Sequence, residues 1–225
     1  MPERRSPAIL AALQLEGMAQ RAGRLDLGLV GLSLLAGGST SMGFIQLLAA
    51  PLENLATSSV QVLAVQTEAF VAPLMVSLLL LLRQAPQLVN LGRHLSGRPH
   101  ALRSHLWLRE WRSLTLAAMA LVPYLMAGAL LAAMLTRPER NSLDELRDLV
   151  GHLNPAMLLL SLLKSAVFAT VILWISLDQG ARAWRGGRSS STALSRTISL
   201  SIAVVLTLDL AWVLALEPTA GGGGP

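Results

Sequence analysis

The chain has no cysteine among its 225 residues, which excludes disulfides, thiolate metal sites and thiol nucleophiles. Charge is scarce too: 14% of residues are Asp, Glu, Lys or Arg, where a soluble domain carries about 25%. Lysine is reduced to one residue, Lys164, against seventeen arginines. Catalytic signatures are missing as well. There is no Gly-x-Ser-x-Gly elbow, no His-Glu-x-x-His helix and no phosphate-binding loop ending in Gly-Lys. The expectation is a chain that is no enzyme, takes no cofactor and hydrolyses no ATP by itself. The opening stretch Met1-Pro-Glu-Arg-Arg-Ser-Pro7 lacks the apolar core and small-residue cleavage site of a secretory signal.

Apolar residues fill the space that charge leaves. They make up 53% of the chain, and the mean hydropathy is +0.55. Runs near 27–50, 60–82, 113–136, 154–177 and 197–216 approach or exceed the roughly 20 residues that cross a bilayer as a helix. The expected fold class is an all-α integral membrane protein. An interfacial amphipathic segment (1–26) precedes a single five-helix domain (27–216), and a glycine-rich flexible tail (217–225) follows. Inside the first run, Gly37-Gly-Ser-Thr-Ser-Met-Gly43 offers small residues for close helix approach or a kink. Pro123 marks a further kink in the third run.

The arginines sort by segment. Residues 1–26, 83–112 and 178–196 hold fourteen of them, and the remaining three lie in 137–152. Collected between apolar runs, they read as a topology signal rather than a nucleic-acid groove. By the positive-inside rule the amino terminus is expected to be cytoplasmic and the carboxy terminus outside. Residues Asp178 to Arg188 read as a flexible basic hairpin.

Three charges fall inside apolar runs: Glu68, Lys164 and Asp209. Each costs several kcal/mol at membrane depth, so each is expected to have a partner or a function. With five crossings the three share a depth towards the outer side. They make either a buried ion cluster that fixes helix packing or the wall of a headgroup pocket. A second candidate is the arginine-rich segment 93–112, where Leu102, Leu106 and Trp107 fit one face of a short helix. That helix would lie on the membrane surface or dock on a soluble cytoplasmic partner. His94, His100 and His105 are spaced six and five apart, which suits a solvated loop better than a metal site, and no metal is expected.

The closing third carries a family pattern. Lys164-Ser-Ala-Val-Phe168, Asp178-Gln-Gly180, Gly186-Gly187, Ser195-Arg196 and Leu206-Thr-Leu-Asp209 follow one another at fixed spacings. Together they resemble the MlaE/YrbE family of permease subunits, whose pattern is a Lys-Ser-x-x-Phe-Gly helix, a Gln-Gly turn, a Gly-Gly loop, a Thr-x-x-Val helix start and a late Asp. Pro73 with Arg83 and Trp111-Arg112 are similar to features of the family's second and third spans, and Glu68 stands near its motif glutamate. The resemblance implies a dimeric permease, of like or unlike chains, in a bacterial inner membrane. It implies a phospholipid-like substrate, a cytoplasmic ATP-binding subunit and an MCE-domain protein as partners, and no nucleic acid. The ATPase-coupling candidates are then Ala101, Leu102, Arg103, Leu106 and Trp107. The family's acidic coupling stretch is basic here, and Ser189-Ser-Ser-Thr192 replaces a glycine-rich segment. A non-transporting membrane scaffold, or an inactive half of a heteromeric permease, is the rival reading.

Overall fold

The structure is a computed structural model that describes residues 27–49, 57–96, 100–135, 147, 150–151, 155–187 and 189–216. The interfacial segment expected over 1–26 and the tail expected over 217–225 lie outside these residues. The described residues form five long helices: α1 (Leu27–Ala49), α2 (Thr57–Leu95), α3 (His100–Leu135), α4 (Pro155–Arg185) and α5 (Ser190–Leu216). All five are long and apolar enough to cross a membrane, and none of the described residues is in a strand.

Three helices outrun their apolar cores. α2 continues past Leu82 and α3 starts at His100, so most of the expected polar segment 83–112 is helix. The reason is a change of pattern. Beyond Arg83 the apolar residues fall at Ala85, Leu88, Val89, Leu91 and Leu95, helical spacings that bury one side while Arg83, Gln87 and Asn90 take the other. α4 likewise runs through Asp178-Gln-Gly180 to Arg185, leaving a shorter connection than the expected hairpin. Gly187 ends it with φ 60°, a left-handed conformation that glycine adopts without steric cost. The Ser189 side chain then caps α5, its Oγ accepting the Thr192 backbone N–H at 3.3 Å. Ser189→Ala is expected to cost about 1 kcal/mol, read as a lower thermal midpoint.

Helix contacts divide the chain into two compact units. One, the lysine unit, comprises Leu25–Leu79 and Thr115–Ala169; it contains α1 and segments of α2, α3 and α4. Its tightest contact is a crossing of α1 and α3 with no side chain between them. A Cβ on Gly37 would overlap the Leu125 carbonyl oxygen, and one on Gly128 would overlap that of Leu34. Small residues let membrane helices approach this closely, where packing replaces the hydrophobic drive that lipid cannot supply. Large apolar side chains face outward as well as inward, and small hydroxyls are buried with the apolar core. Leu35, Leu47, Leu116, Leu131 and Leu159 are exposed, while Ser33, Ser41, Ser77 and Ser161 are buried. Such a surface suits a lipid environment.

The other unit, rich in arginine, comprises, among the described residues, those within Leu80–Leu114 and those from Thr170 to Leu216. Here α2 and α4 cross at glycines: a Cβ on Gly92 would meet Leu177 and one on Gly180 would meet the Val89 carbonyl. Gly180, expected in a turn, instead makes close packing within a helix possible. Leu91, Leu95 and Leu106 pack with Leu177 beside this crossing, and Val89, Ala183 and Ala193 join α2, α4 and α5. Arg93 on α2 hydrogen-bonds to the Ser190 hydroxyl at the start of α5.

Candidate functional site

The lysine unit buries two charged side chains among its described residues, Glu68 and Lys164, and each is held differently. Glu68 sits on the α2 segment of that unit with no solvent exposure. The Thr40 hydroxyl, on α1, donates to its Oε1 at 2.7 Å. The same hydroxyl lies 2.8 Å from the Ala36 carbonyl and 3.2 Å from that of Gly37. One hydroxyl proton thus faces three acceptors. The second carboxyl oxygen, Oε2, has no hydrogen-bond partner among the described residues. A buried polar atom without a partner is costly, and in a membrane span it marks either strain or a place for a ligand group.

Lys164 lies on α4, 4% exposed. Its ammonium stands 5.8 Å from the ring centroid of Phe168, one helical turn onward and wholly buried. The ring face offers the ammonium an electrostatic partner where water is absent, and Lys164 also makes a further polar or electrostatic contact. Asp209, the third charge expected in this set, lies on α5 in the arginine-rich unit and is half-buried. It too has an interaction partner.

The coupling candidates lie at the start of α3. Ala101, Leu102 and Arg103 are in its first turns. Leu106 turns inward to Leu91 and Leu95. Trp107 stacks on Trp111 with ring centroids 6.3 Å apart. It also lines a cavity of about 350 Å³ with Gly92, Trp174, Leu177 and Asp178. Trp111 in turn donates from Nε1 to the Thr170 hydroxyl at 2.9 Å, tying α3 to α4.

Two further residues gain interest only from the structure. In the sequence Thr40 is one of a run of small residues, and nothing local announces that it meets Glu68 twenty-eight positions on. Glu110, 1% exposed with Oε1 unpartnered among the described residues, is hidden in the polar segment. Its spacing from Leu106 and Leu114, both buried, is the available signal. Among the described residues no cluster of three His, Cys, Asp or Glu side chains is placed to hold a metal ion.

Five long apolar helices with large apolar side chains on their outer faces and ionisable groups inside define a multi-pass membrane protein. The family model described as Permease MlaE matches residues 112–215, which span most of α3 and all of α4 and nearly all of α5. Over that stretch the chain is similar to the MlaE permease family, and with the five apolar helices this supports a membrane permease. The matched stretch includes Lys164, Phe168, Gly180, Gly187 and Asp209, whereas Glu68 and residues 100–111 precede it. No curated protein and no solved structure shows significant similarity to the chain.

Proposed function

We propose that the chain is the permease subunit of an ABC-type system that moves a phospholipid-like substrate between a bacterial inner membrane and the cell envelope. The observation that carries this reading is the family match over helices that include Lys164 and Asp209. The chain contributes no ATP-hydrolysing motif. A cytoplasmic ATP-binding subunit supplies the work, an external MCE-domain protein hands lipid on or receives it, and two permease chains, like or unlike, form the membrane core.

In this reading the amino terminus is cytoplasmic, as the distribution of arginines supports. Glu68 and Lys164 serve the headgroup, and the first turns of α3 from Ala101 to Trp107 meet the ATPase. The chemistry asked of Lys164 is simple. An ammonium resting on an aromatic ring is a cation to which a phosphate can be attracted without the solvation water would give it.

Isolation of the native complex through a tag on this chain tests the assignment. An ATP-binding subunit, an MCE-domain protein and phospholipid are expected to co-purify. Recovery of the chain without an ATPase or lipid would favour the scaffold instead.

A further inference from the structure

A second site lies in the arginine-rich unit. A groove of about 510 Å³ runs between α4 and α5, lined by Gln179, Arg182, Ser195, Arg196, Ser199 and Leu200, with Ala203 beyond them. That volume is in the range of small-ligand sites, roughly 300–1,000 Å³. Its polar wall is made of donors: two guanidinium groups, two hydroxyls and one amide.

Most of those donors are unused. Among the described residues, Gln179, Ser195, Arg196 and Ser199 make no side-chain hydrogen bond or ion pair to one another or to any neighbour. Arg182 is paired through Nη2 to the Asp178 carboxylate at 2.9 Å, and its side chain stays 62% exposed. A guanidinium has five N–H donors, so this pair leaves others facing the groove. With Asp178 balancing one arginine, the site holds one uncompensated positive charge. It therefore matches a singly charged phosphodiester.

The apolar end of the groove indicates what the phosphodiester is attached to. Arg196 directly precedes the apolar run 197–216, and Arg182 follows the run that ends at Leu177. The donors thus sit at the boundary between apolar span and polar flank, where arginine meets headgroups. From there the exposed side of α5 continues at helical spacing through Leu200, Ala203, Leu206 and Leu210. This is a track along which an acyl chain can lie while its phosphate is held by the arginines.

We infer that the α4–α5 groove is a binding site for an anionic phospholipid, its phosphodiester held by Arg182 and Arg196 and an acyl chain laid along α5. This site does not depend on the transport reading: it needs the chain to be in a membrane, and nothing more.

The test uses the full chain reconstituted in vesicles of equal amounts of phosphatidylglycerol and phosphatidylcholine, then extracted into a neutral detergent. Lipid retained on the intact protein is identified by mass spectrometry. Phosphatidylglycerol is expected to be retained in preference. At about 1 kcal/mol for each arginine near a headgroup, the double variant Arg182→Gln/Arg196→Gln should reduce that preference about thirtyfold. Arg185→Gln removes an exposed charge from the same helix and should leave it unchanged. Equal retention of the two lipids, or a preference that survives the double variant, would overturn the site. Displacement of the lipid by millimolar inorganic phosphate alone would overturn the lipid assignment in favour of a free phosphate. Lys164→Met should keep the preference, so the failure of transport and the failure of this site are read separately.

Discussion

Gly37→Leu is expected to remove most of the folded chain from the membrane. A Cβ at Gly37 falls on the Leu125 carbonyl oxygen, and a backbone atom cannot rotate away as a side chain does. The two helices must therefore separate along a crossing that Gly128 makes equally tight from the other side, against Leu34. Overpacking a well-filled interior costs about 1–3 kcal/mol and more where backbone has to move, a large share of a typical stability of about 5–15 kcal/mol. The control is internal. Gly31 and Gly43 lie on the same helix, and a Cβ on either meets nothing within 4 Å. Gly31→Leu and Gly43→Leu should be tolerated, as judged by yield from membranes and by thermal midpoint in detergent. If Gly37→Leu melts with those two, α1 and α3 do not cross at this point.

Glu68→Met is expected to act in the opposite direction on stability while abolishing transport. The carboxylate is fully buried with one oxygen unpartnered among the described residues, and methionine fills a similar volume without charge. Thr40 is not orphaned by the change, because the Ala36 and Gly37 carbonyls remain within hydrogen-bond reach of its hydroxyl. Replacing buried ionic groups with apolar ones of similar shape is often neutral or stabilising by about 1–4 kcal/mol, so the thermal midpoint should hold or rise. A midpoint several degrees lower would show that Glu68 fastens the helices. Full transport by the variant would show that no lipid headgroup uses it.

These two substitutions separate what the chain's pattern reveals from what it conceals. The five spans are legible because an uninterrupted apolar run of bilayer length seldom occurs outside a membrane helix. Helix lengths are not, since α2 and α3 continue where hydropathy falls and only the amphipathic spacing of Ala85, Leu88 and Val89 carries the signal. The small-residue run in α1 correctly suggests close approach, although its partner surface around Leu125 is not written in it. Gly180 reads as a turn in the sequence and packs inside a helix in the structure. Glycine serves turns and tight crossings equally well, and only the neighbouring helix decides.

The candidate site divides in the same way. Lys164 stands out in the sequence as a charge within an apolar run, and Phe168, four residues on, is where a helix would put a partner for it. The Thr40–Glu68 bond joins two helices through a tertiary contact, so no local pattern foretells it. The arginines of the α4–α5 groove carry only a topology signal in the sequence. Their neighbourhood is a property of the folded chain, in which Arg182 and Arg196 line one groove.

Transfer of fluorescent phospholipid between donor and acceptor vesicles, driven by ATP in the reconstituted complex, tests the permease reading most directly. The complex containing the natural chain should transfer lipid. The same complex carrying Lys164→Met should lose at least about tenfold of that rate, which corresponds to about 1.4 kcal/mol, with assembly and helix content unchanged. An assembled complex that moves no lipid, or a Lys164→Met variant that moves it at the natural rate, would contradict the account.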